Sequence, residues 1–117
     1  MRGAGLSGLA VLALLAGAAG AAPEPSWTVF ADCAGAYVAN SRVVDPDRPA
    51  AMVSQMGDLA GDYARAARSA YRRQMKAGSV AARHAIGARV QATARRLAGE
   101  PRETAEKLID ACPQTDG

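Results

Sequence analysis

Residues 28–40 read TVFADCAGAYVAN, and Cys33 stands in the middle of them. Trp27, Phe30, Ala34, Tyr37 and Val38 recur at the spacing of one helical face. Cys33 sits beside Phe30 and Tyr37 on that stripe and is expected to point inward. Ser26 has the right chemistry to cap the helix, since its hydroxyl can accept a hydrogen bond from an early backbone N–H. The segment therefore predicts a helix over 27–42. The only other cysteine is Cys112, near the far end of the chain.

Two cysteines permit a single intramolecular pairing. Whether it forms depends on the compartment, and the opening residues speak to that. MRGAGLSGLAVLALLAGAAGAAPEP places Arg2 before an apolar run from Leu6 to Leu15 and then a series of small residues. Ala19-Gly20-Ala21 fits the small-x-small pattern of a leader cleavage site. The run is shorter than the roughly 20 strongly apolar residues that a membrane span needs. The sequence thus predicts a signal peptide over 1–21, cut after Ala21, and a periplasmic or secreted mature chain. An exported chain meets an oxidising environment, so a Cys33–Cys112 disulfide is expected.

The mature chain would hold 96 of the 117 residues, and its net charge would fall from +3 to +2 with the loss of Arg2. Leu, Ile, Val and Phe number 13 in it, a thin supply for a core. Alanine is abundant instead; it favours helix but buries little area. Such helices form readily and pack lightly. A covalent clasp between the first and last helices would then carry much of the stability.

The rest of the chain reads as three more helices. VVDPDRP breaks the first. Pro49 suits the first position of a second helix, predicted over 49–77. Its main stripe is Met52, Met56, Leu59, Tyr63, Ala66 and Ala70, and a second flank holds Val53, Ala60, Ala64, Ala67 and Tyr71. Apolar residues over nearly half its circumference predict a central place in the bundle. Gly57 and Gly61 have the G-x-x-x-G spacing, which in a soluble helix marks close backbone approach or nothing at all. Asp62 and Arg65 can pair across one turn on the polar side.

Gly78 and Ser79 mark a tight turn into a third helix over 80–98, with Ala82, Ile86, Val90, Thr93 and Leu97 inward. Gly99 ends it, and Pro101 opens a fourth over 101–112, where Ala105, Leu108, Ile109 and Cys112 share a face. The expected fold is an all-α, small up-and-down bundle of about four helices. It comprises a lead-in over 22–26, a helical domain over 27–113 and a tail over 114–117. Short turns favour antiparallel neighbours.

Chemistry-bearing constellations are scarce. His84 is the sole histidine and falls on the polar side of the third helix, remote from any obvious nucleophile. Four metal ligands cannot be assembled around it, and the carboxylates are dispersed. The sequence accordingly predicts no catalytic residues, no cofactor and no metal site. Trp27 is expected to cap the core near the start of the chain. The basic residues Arg65, Arg68, Arg72, Arg73, Lys76 and Arg83 gather around the second turn. They make a candidate anion-binding end. Few aromatics interleave them, which argues against nucleic acid. The functional expectation is a non-enzymatic binding module of the bacterial cell envelope that meets an envelope protein. The alternative is a surface binder of anionic lipid or polysaccharide through the arginine-rich end.

Overall fold

The computed structural model describes residues 23–115. The predicted leader and its cleavage site lie outside those residues. Four helices are present: α1 (Trp27–Ser41), α2 (Ala50–Gln74), α3 (Ser79–Ala98) and α4 (Arg102–Asp110). Among the described residues there is no strand, and Cys33 is joined to Cys112 with Cα atoms 6.0 Å apart.

The helix ends follow local chemistry with small departures from expectation. Ser26 caps α1 by accepting from the Thr28 N–H at 3.3 Å. Pro49 and Pro101 precede their helices in extended conformation rather than forming the first turn. α3 starts at Ser79, with Gly78 before it, so Ser79 belongs to the helix and does not cap it. α2 stops three residues earlier than predicted. Lys76 there takes a left-handed backbone, φ 51°. The Ala77 N–H returns to the Arg72 carbonyl at 3.2 Å and the Met75 N–H to that of Tyr71 at 2.8 Å. This is the six-to-one closure that ends many helices. α4 likewise closes at Asp110, and Cys112 follows just after its last turn, its N–H still bonded to the Ile109 carbonyl.

Alternating directions can be read from the contacts. Trp27 at the start of α1 meets Tyr71 near the end of α2, with ring centroids 5.0 Å apart, while Tyr37 stacks on Tyr63 at 5.6 Å. These two helices are antiparallel. Asp32 reaches Arg89, and Gly35 lies beside Val90 and Thr93, so α1 and α3 run the same way. The bundle is up-and-down, as the sequence predicted.

The central helix is α1, not α2. α1 packs against all three other helices, whereas the backbones of α2 and α4 stay apart. The reason lies in side-chain size. Ala31, Cys33, Ala34, Gly35 and Ala36 are all buried, on several sides of α1. Small side chains let neighbours approach from every direction. α2 has wide apolar flanks, yet its buried residues begin only at Ala60. Its first turns carry Met52, Val53, Met56 and Leu59 half-covered or exposed.

The core joins Phe30, Cys33, Tyr63, Ala67, Ala70 and Ile86, with Trp27 and Tyr37 packed at its edge. A smaller cluster of Ala36, Leu97 and Ala105 closes the other end. The predicted inward residues of α3 hold: Ala82, Ile86, Thr93 and Leu97 are buried and Val90 is partly so.

Candidate functional site

The basic residues singled out by sequence fall into two groups once the fold is known. Arg65 pairs with Asp62 at 2.8 Å, as the one-turn spacing predicted. Arg73 pairs with Glu24 in the lead-in. Its guanidinium holds the Glu24 carboxyl below the usual range, against a smaller opposing effect of burial. Gln74 completes that clamp. Its Nε2 donates to Glu24 at 3.0 Å and to the Pro25 carbonyl at 2.9 Å, and its Oε1 accepts from the Trp27 N–H at 2.9 Å. Arg73 and Gln74 therefore tie the lead-in to the end of α2.

Arg68, Arg72, Lys76 and Arg83 differ from these two. Among the described residues none of them has an acidic group within ion-pair distance. Arg68 and Arg72 are about one turn apart on α2 and share one face, and Lys76 follows in the closing turn, just past the last helical residue Gln74. Arg72, Lys76 and Arg83 are exposed, and Arg68 is half-covered. His84, next to Arg83, is exposed too.

The surrounding sequence explains why these charges stay uncompensated. From Tyr63 to Gly99 the chain has eight arginines and one lysine and not a single aspartate or glutamate. Acidic residues reach this stretch only from elsewhere: Glu24 to Arg73, Asp62 to Arg65, Asp32 to Arg89 and Glu100 to Arg96. An acid-free run of this length is a legible signal of a basic hairpin. So is the composition of the turn. Met75 and Val80 are 55% and 76% exposed, two apolar side chains presented to solvent at the α2–α3 end. Reading α2 through to 77 places Met75 inside a helix and hides this feature.

Two open clefts lie elsewhere. One, of about 360 Å³, is lined by Phe30, Ala66 and Ser69 with the Arg65–Asp62 and Arg73–Glu24 pairs at its rim. The other, of about 450 Å³, lies over Tyr37 between α2 and the end of α4. The tail residues Gln114 and Thr115 line both. Tyr63 fixes that tail, its hydroxyl donating to the Pro113 carbonyl at 2.6 Å. His84 lines neither cleft. The disulfide forms a wall of the second through Cys112.

No helix of the described residues is long and apolar enough to cross a membrane. Compared with known proteins, the chain matches no family model, no curated sequence and no solved structure.

Proposed function

We propose that the protein is a non-enzymatic binding module of the cell envelope that docks on an anionic surface through its α2–α3 end. The observation that carries this reading is the set Arg68, Arg72, Lys76 and Arg83. These four cations stand at one helical hairpin with no ion-pair partner among the described residues. Export through the leader at 1–21 is part of the proposal, and the disulfide supports it, because such bonds persist in oxidising compartments.

Unpaired cations near an anionic surface contribute about 1 kcal/mol each, so four give about 4 kcal/mol, roughly millimolar affinity. An association of this kind is weak and dominated by charge. It should fade as salt shortens the screening length from about 10 Å at 0.1 M to about 3 Å at 1 M.

The test is retention of the mature, oxidised protein on dextran sulfate and on phosphatidylglycerol vesicles at low and high salt. Salt-sensitive retention on at least one is expected. The triple variant Arg68→Glu, Arg72→Glu, Lys76→Glu should lose it. All three positions lack ion-pair partners, so the fold should be unaffected. Failure of the native protein to bind either probe, or full retention of the variant, would overturn the reading.

A further inference from the structure

Resting on that reading, we infer that the anionic surface is a phospholipid bilayer, and that the α2–α3 turn enters it with Met75 and Val80 leading. Electrostatics alone does not require apolar residues at the contact. Yet two exposed apolar side chains flank its turn, at the last cap of α2 and the second position of α3. The residues between them are Lys76, Ala77, Gly78 and Ser79, so no bulky polar group other than Lys76 stands at the tip.

The basic residues are set back from that tip. Arg72 precedes Met75 by three residues and Arg83 follows Val80 by three, which is about 4.5 Å of helix rise in each case. Interfacial segments sink about 5–10 Å into the boundary between headgroups and acyl chains. At that depth Met75 and Val80 meet the acyl boundary while Arg72 and Arg83 lie level with phosphate groups. Lys76, with its long apolar stem, can reach back to the same level. The turn also satisfies part of its own backbone through the Ala77–Arg72 and Met75–Tyr71 hydrogen bonds. That lowers the cost of leaving water. A polysaccharide, which offers no apolar phase, would leave Met75 and Val80 without a role.

The experiment compares binding to phosphatidylglycerol vesicles, phosphatidylcholine vesicles and dextran sulfate. The native protein is compared with the charge-neutral double variant Met75→Ser, Val80→Ser, and the replaced side chains are exposed enough to leave folding intact. A separate Val80→Trp variant reports depth through quenching by lipids brominated in the acyl chain, with the native protein and its Trp27 as the baseline. Expected results are preference for phosphatidylglycerol over phosphatidylcholine, about tenfold weaker vesicle binding by the double variant, and quenching of the introduced indole beyond that baseline. Equal vesicle binding by the double variant, without added quenching, would overturn insertion and leave surface attachment standing. Binding to dextran sulfate but to neither vesicle would also overturn it and assign the surface to a polysaccharide. Absence of binding to all three probes would remove both this inference and the reading beneath it.

Discussion

Gly35 of α1 lies so close to Thr93 of α3 that a Cβ built at position 35 would stand 2.7 Å from the Thr93 Cβ. The same Cβ would come within 2.9 Å of the Val90 carbonyl oxygen. A backbone oxygen in a helix cannot swing aside as a flexible side chain can. This crossing is where α1 gains its central position.

Gly35→Ala should therefore destabilise the fold by about 1–3 kcal/mol through overpacking, despite alanine's better helix propensity. Denaturant midpoints compared with Gly57→Ala would decide it. A Cβ at Gly57 meets nothing within 4 Å, so that control should be neutral or stabilising by about 0.5–1 kcal/mol. Equal responses at the two glycines would refute the crossing.

The Cys33–Cys112 bond joins residues 79 apart in sequence. In the chain-entropy account, a loop of that size loses about 4.5 kcal/mol of stabilisation when opened. The double variant Cys33→Ala, Cys112→Ala should have a sharply lower melting temperature, read by circular dichroism. An unchanged melting temperature would show that the alanine-built core holds without its clasp.

Asp32 accepts two hydrogen bonds from Arg89, at 2.8 and 2.9 Å, and one from the Thr93 hydroxyl at 2.7 Å. Burial opposes its ionisation, but the Arg89 and Thr93 bonds outweigh that and hold its carboxyl below the ordinary range. A folded-state value below the unfolded one contributes stability that is fully present above the unfolded value. It is lost as pH falls through the folded one. Unfolding followed from neutral pH into acid should show this loss, and Asp32→Asn should flatten it. At neutral pH the variant should cost about 1 kcal/mol, less than is usual for bonds to charged groups, because Arg89 is partly solvent-screened. Parallel acid profiles for both proteins would rule out the coupling.

Lys76 holds a left-handed conformation that a side chain makes unfavourable. Lys76→Gly should stabilise the folded state by about 0.5–1 kcal/mol, since glycine adopts it without the steric cost. It should also weaken binding to an anionic surface by removing one charge. A gain in stability together with a loss in binding would separate the two roles; a variant less stable than the native protein would contradict the turn geometry.

Tyr63→Phe removes the hydroxyl that anchors Pro113. The expected cost is about 1 kcal/mol, with faster carboxypeptidase trimming of the tail. Trimming at the native rate would show that the stacking of Tyr37 on Tyr63 and the nearby disulfide suffice to hold it.

Much of this arrangement can be read from local pattern. Phe30, Cys33 and Tyr37 declare an apolar face, and Ala105, Leu108 and Cys112 declare another. A sulfur on each face, together with the expected export leader, is what leads to the clasp. Ser26, Gly78 and the prolines mark where helices start and stop to within a few residues. Arg68 and Arg72 show their shared face through a four-residue spacing, which does not extend to Lys76 because the helix ends at Gln74. The Glu24–Arg73 pair was not legible, because 49 residues separate the partners and nothing local links them. The inward place of Thr93 was legible, but its bond and that of Arg89 to Asp32 were not, because 61 and 57 residues separate them from that carboxylate.

The sequence by itself determined four helices, their breaks and the pairing of the two cysteines, because each rests on periodicity or on elimination. Only the tertiary structure decided which helix lies at the centre. Alanine and glycine weigh little on any apolar scale, so α1 looked less buried than α2 with its methionines. Packing reversed that order, because a helix surrounded on several sides must present small side chains, and Gly35 against Thr93 is where the closest approach is made.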